Sequence, residues 1–314
     1  MSTHFCLKRM VYCKSAGFSL VELAISVSAV GILLGLVIGG VGVLDSSRIA
    51  STVTQIDTIK KSVNAFRDTY HAMPGDLNRA TSLIDNCDAT FSCGNGDGNG
   101  AIGTGDALNV EWNEGVSEDD ETLYAWRHLA LSQIMPQAAG RSDAVGWGYS
   151  HPASSFGGGV EIFYDADHVF LGDSHGAGHY LRYADSFVES ELESGDGLLA
   201  LSARGVDRKI DDGNPFLGRV TSAGEEDSGC FNSGSVEAYE DYTSAQSDLD
   251  TAQSAFDAAV ASGSAPAIAS AQNDLDNAQA TYDLAEAEYA SIEEGYNTSR
   301  FGSGDCFLFV RLGL

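Results

Sequence analysis

Proline and basic residues are the scarcities of this chain. Five prolines in 314 residues leave few fixed breaks, so long helices are permitted and the turns fall to the 36 glycines. Lysine and arginine total 17 against 45 aspartates and glutamates, a formal net charge of −28. That imbalance argues against a nucleic-acid partner, because neutralising phosphates takes clustered cations. It suits a surface that faces water and divalent cations. Cysteine is sparse too, six in all and never as C-x-x-C, which argues against a four-thiolate zinc site. A nucleophile elbow, a phosphate loop and a zinc-binding helix are missing as well, so nothing in the sequence marks an enzyme.

Charge is absent altogether from Leu23 to Leu44. As a helix that run is roughly 33 Å long, enough for a ~30 Å hydrocarbon core. Lys8, Arg9 and Lys14 precede it without an acid, and Asp45 and Arg48 follow. The positive flank is expected to stay in the cytoplasm, with the bulk of the chain on the far side. A secretory signal would place small residues after the apolar run; here Ser15-Ala16-Gly17 come before it. A cut at Gly17 keeps the helix and exposes the α-amine of Phe18, one helical turn from Glu22. Glu22 is the one charged group in an apolar context, and such a carboxylate calls for a partner. The amine of a neighbouring chain would supply it and fix the axial offset between subunits.

The stretch KSAGFSLVELAISVSAVGILLGLVIGG (residues 14–40) resembles the N-terminus of prepilins, the family of type IV pilins and type II secretion pseudopilins. YHAMPGDLNRA (70–80) and DRKIDDGNPFLGRV (207–220) resemble further segments of large pilins of proteobacteria. The resemblance implies cleavage between Gly17 and Phe18 by prepilin peptidase, N-methylation of Phe18, and Glu22 as the assembly carboxylate. It implies a filament whose partners are copies of itself, extruded by a pilus or secretion assembly machinery with a cytoplasmic ATPase. The expected location is a single pass through the inner membrane with the head in the periplasm, or a cell-surface filament in the case of a pilin. A type II secretion pseudopilin is the alternative within the family. A membrane-anchored, calcium-dependent adhesin that never polymerises is the alternative outside it.

The expected fold is α+β: a long N-terminal transmembrane α-helix packed on an antiparallel β-sheet head, with an inserted antiparallel helical hairpin. Its parts are a leader (1–17), the N-terminal helix (18–73, with 18–44 for membrane and assembly), the head (74–235), the hairpin (236–295) and a final strand (296–314). Ile49, Val53, Ile56, Ile59 or Val63, and Phe66 recur at helical spacing, and Pro74-Gly75 ends that helix. SEDDETLYAWRHLALSQIM (117–135) reads as a helix capped by Ser117, with Trp126 and His128 taken up by packing. GVEIFYDADHVFL (159–171) and HYLRYADSF (179–187) alternate as strands. Asp173, His168, His175 and His179 fall in the turn between them, and a helix is expected to end near Ile210 before the Asp211-Asp212 turn. From 236 to 295 small and apolar residues recur at heptad spacing, Tyr242 to Ala259 and then Ile268 to Ile292, about a short break.

Two smaller patterns carry chemistry. From Asn95 the chain reads N-x-D-x-N-G-A-I-x-x-x-D, the order of oxygen ligands, glycine and apolar residue in an EF-hand calcium loop. Asn95, Asp97, Asn99, the carbonyl of Ala101 and Asp106 are the candidate calcium ligands. The pattern departs from the EF-hand loop in having Asn first and the shorter Asp last. Cys6 and Cys13 leave with the leader, and the remaining four are even in number. Of their three pairings, Cys87–Cys93 with Cys230–Cys306 is favoured, the second pair bracketing the hairpin.

Overall fold

A computed structural model describes residues 20–88, 93–103, 121–138, 147–166, 169–170, 173–174, 176–184, 198–223, 229–232, 234–291, 295–297 and 306–314. By its contacts the chain divides into residues 1–46 and 47–314. Helix α1 runs from Leu20 to Tyr70. The expectation of a transmembrane helix is overturned: among the described residues, no helix is long and apolar enough to cross a membrane. The opening turns of α1, from Leu20 to Ile32, mix polar groups with the apolar ones. They include the carboxylate of Glu22 and the hydroxyls of Ser26 and Ser28. The single-pass inner-membrane location fails on the same finding.

In the second unit α1 presents one buried stripe, Ile56, Ile59, Val63 and Phe66. Three- and four-residue spacing puts these on a single face. Helix α2 (Ala80–Leu83) and α3 (Glu121–Leu131) follow, and Trp126 and Leu129 of α3 join the same core. Four strands form an antiparallel sheet in the order β1-β4-β6-β5: β1 Gly159–Asp165, β4 Gly178–Ala184, β6 Phe307–Arg311 and β5 Val220–Ala223. Val160, Ile162, Leu181, Tyr183, Leu308 and Val310 alternate onto the core side. Phe163, Tyr180, Ala223 and Phe309 form a smaller cluster of their own. A two-stranded ribbon pairs β2 (Val169–Phe170) with β3 (Asp173–Ser174), and α4 spans Ala200–Ile210. The class is therefore α+β with an antiparallel sheet.

Helix α5 (Ser235–Ser262) and α6 (Ala265–Ser291) turn on Gly263, whose left-handed φ of 69° caps α5 by donating to Val260. Pro266 falls in the first turn of α6, where its missing N–H costs nothing. The partly buried positions of the outer helices are the heptad ones: Leu249, Ala252, Phe256 and Ala259 on α5, and Ile268, Ala271, Leu275 and Ala278 on α6. Alanine at alternate positions lets the two backbones approach closely. The base is wider and aromatic. Tyr242 stacks on Tyr289 at 5.2 Å, and Tyr239 stacks on Phe216 of the core at 4.8 Å. Both ends of the pair return to one place. Asn297 N–H donates to Cys230 O, Asn232 N–H to Gly295 O, and a disulfide joins Cys230 to Cys306.

Candidate functional site

Two regions hold the candidate residues, one in each unit. In the first, Glu22 is exposed on the opening turn of α1, and Gly17 and Phe18 lie outside the described residues. Around Glu22 the apolar side chains face outward: Leu20 is 86 % exposed, Ile25 65 % and Ile32 66 %. An apolar face this continuous is a surface to be covered by something else.

The second region lies where the chain leaves α1. His128 of α3 is fully buried and holds two loops at once. Its Nδ1 accepts the Gly75 N–H at 2.9 Å, so its Nε2 carries the proton and donates to Gly94 O at 2.9 Å. Burial pushes its pKa down to about 4, with the Gly94 contact opposing. The Pro74-Gly75-Asp76 turn and the glycine-rich loop are thereby drawn together. Gly96 permits the approach, because a Cβ there would stand 2.3 Å from Gly75 O. Ile102, fully buried, anchors the far end of the loop, and its carbonyl accepts from Tyr164 of β1 at 2.8 Å. The disulfide Cys87–Cys93 closes the near end.

Within that frame Asp76, Asp97 and Glu121 converge, one carboxylate oxygen of each within 4.8 Å of the others. Asp76 Oδ2 accepts from Gly100 N at 3.0 Å. Glu121 accepts from Asp97 N at 2.7 Å and Gly103 N at 3.0 Å. Burial raises the pKa of both Asp76 and Glu121, the negative charge of Asp97 adds to it, and the loop N–H groups oppose it. Of the calcium ligands expected from the sequence, Asp97 is a member of this acidic group. Asn95 Oδ1 accepts from Thr81 N at 2.9 Å and Thr81 Oγ1 at 3.1 Å. Asn99 folds the loop internally, accepting from Ala101 N at 2.7 Å and donating to Asp97 Oδ2 at 2.8 Å. Asp106 lies outside the described residues. Sequence reasoning missed Asp76 and Glu121. The signal available was Gly75-Asp76 directly after the helix-ending proline.

Asp207, Asp211 and Asp212 form another acidic group, which accepts hydrogen bonds from the chain itself. Asp207 accepts from Gly213 N at 3.1 Å and from the Tyr296 hydroxyl at 3.1 Å, Asp212 from Asn214 N at 2.7 Å, and Asp211 from Arg219 N and Val220 N. His168 and His175 lie outside the described residues. His179 sits in β4, its pKa lowered to about 4 by burial and by the charge of Arg67. Glu22 is not the only charged group in an apolar setting, contrary to the sequence reading: Glu161 and Arg182 meet inside the sheet at 2.6 Å.

No family model, no curated protein and no solved structure matches the chain.

Proposed function

We propose that the chain is a filament subunit of the type IV pilin kind, assembled by packing its N-terminal helix against the helices of neighbouring copies. The observation that carries this is the uncovered apolar surface of α1 from Leu20 to Ile32, with Leu20, Val21, Leu23, Ile25, Val27, Val30 and Ile32 all more than half exposed. Burying such a surface contributes roughly 25 cal/mol per Å², and a second copy offers the same surface for the purpose. The leader-Gly17-Phe18 sequence supports the reading: cleavage there by a prepilin peptidase places a new amine beside Glu22. The amine of one copy against the Glu22 carboxylate of the next sets the register, while the apolar contacts supply the adhesion. The glycine-rich head and the α5–α6 pair are then displayed along the filament.

Mass spectrometry of the mature chain tests the processing step. Phe18 as the N-terminus is expected, whereas intact Met1 or a cut beyond Leu44 overturns the reading. Shearing of cells tests assembly. The chain is expected in released fibres, and Glu22→Ala is expected to abolish them while the chain is still produced. Normal fibres from Glu22→Ala, with no wild-type copy present, would contradict the pairing.

A further inference from the structure

Asp76, Asp97 and Glu121 come from three separate segments, a turn, a loop and helix α3, yet one oxygen from each falls within 4.8 Å of the others. Among the described residues, the charged groups acting on Asp76 and Glu121 are carboxylates: Asp97 on both, and Asp76 on Glu121. Like charges held this close repel unless a cation lies between them. The independent observation is Asp76 itself. It is 2 % exposed, and its Oδ1 is buried with no hydrogen-bond partner. A buried carboxylate oxygen left without a donor is costly and calls for a proton or a metal.

We propose that Asp76, Asp97 and Glu121 bind a divalent cation, calcium, which ties the glycine-rich loop and the start of α3 to the turn that ends α1. The inference does not depend on the filament reading. Oxygens spread over 4.8 Å fit around one ion at about 2.3–2.6 Å from each, the calcium range. All the donors are hard oxygens, which excludes a preference for zinc or copper. Magnesium demands near-ideal octahedral geometry and gives up water reluctantly, so a site on a glycine-rich loop favours calcium. The arrangement completes the loop pattern from outside it. Asp76 brings the acid that Asn95 lacks, and Glu121 brings the longer carboxylate. The N–H groups of Gly100, Asp97 and Gly103 hold these acids in place. Backbone carbonyls and water fill the remaining positions.

The test is calorimetry of the purified full-length chain titrated with calcium chloride, repeated with magnesium chloride. One calcium per chain is expected, in the weak range of ~10⁻⁴ to 10⁻³ M, with magnesium at least tenfold weaker. Asp97→Asn changes an exposed loop residue and is expected to weaken binding tenfold or more, with an unchanged circular dichroism spectrum. Asp76→Asn and Glu121→Gln are expected to do the same. Asp212→Asn, in the other acidic group, is expected to bind as the wild type does. Calcium should also raise the unfolding temperature of the wild type and of Asp212→Asn, but not of Asp97→Asn. No heat from the wild type, equal heats from the wild type and Asp97→Asn, or loss only in Asp212→Asn would each overturn the proposal.

Discussion

Glu161 on β1 lies directly opposite Arg182 on β4, and their charged groups meet at 2.6 Å with the glutamate side chain 1 % exposed. Cross-strand register places them face to face, so the pair is as fixed as the sheet. Breaking a buried pair leaves one charge uncompensated, whereas removing both members need not. Arg182→Met is expected to destabilise the chain by roughly 3–5 kcal/mol, and Glu161→Leu combined with Arg182→Met by much less. Urea unfolding of the single and double variants measures the difference. Equal losses in both would show that the cation contributes nothing to holding Glu161.

Acid should loosen the core through its histidines. Burial lowers the pKa of His128 to about 4 and of His151 to about 3, and burial together with Arg67 lowers that of His179 to about 4. Each folded value lies below the unfolded one of about 6.5, so the unfolded chain binds more protons in that window. The stability they contribute is complete above pH 6.5 and is lost as pH falls toward 4. His128→Gln is expected to flatten part of that slope. It should also cost roughly 1–3 kcal/mol at pH 7, because the Gly75 N–H and Gly94 carbonyl lose their shared partner. Denaturant unfolding at intervals from pH 4 to 8 reads both effects.

Asp207 acts with the opposite sign. Burial pushes its pKa up to about 7, with the Gly213 N–H and Tyr296 hydroxyl opposing. A folded value above the unfolded 3.8 gives stability that is complete below about pH 4 and lost as pH rises through 7. The full effect is on the order of 4 kcal/mol. Asp207→Asn has no such titration, so its stability relative to wild type is expected to rise steadily from pH 4 to pH 8. The relative slope is the readout, since it is insensitive to any constant cost of the substitution.

The outer part of the α5–α6 pair is expected to be dispensable for folding. Among the described residues the pair's buried positions lie toward the base, at Ser235, Ala238, Tyr239 and Ala245, where Asn214 also donates to the Tyr289 hydroxyl at 2.6 Å. Farther out, Gln253, Gln272 and Gln279 bond to aspartates four residues on, on exposed faces. Replacing residues 249–278 with a short Gly-Ser linker keeps the tyrosine base in register and should leave a cooperative unfolding transition with both disulfides formed. Loss of that transition would make the outer pair part of the folding core.

The helices and strands were legible because their causes are local. The stripe from Ile56 to Phe66 has the helical period, and the alanine-rich heptads of α5 and α6 have the coiled-coil one. GVEIFYD and HYLRYA alternate as strands do. The calcium pattern was local too, whereas Asp76 and Glu121 reach the loop from other segments. Asn95 fits the first place of a loop pattern, but in the fold it is held by Thr81, and Asp76 occupies the position beside Gly100. The membrane reading rested on the composition of one run, and the described residues do not yield a spanning helix.

What the sequence determined by itself is periodicity, charge balance and the places where backbone can turn: the long α1, the break at Pro74-Gly75, the reversal at Gly263, the even cysteines. Tertiary structure alone decided which charges meet. Glu161 and Arg182 are 21 positions apart in number but adjacent across β1 and β4, and alternation says which face a residue takes without saying what lies opposite. Asp76, Asp97 and Glu121 are gathered because His128 bonds two loops at once and because Gly96 lacks the Cβ that would strike Gly75. Side-chain spacing is written in the chain, whereas the approach of distant backbones depends on how the whole core packs.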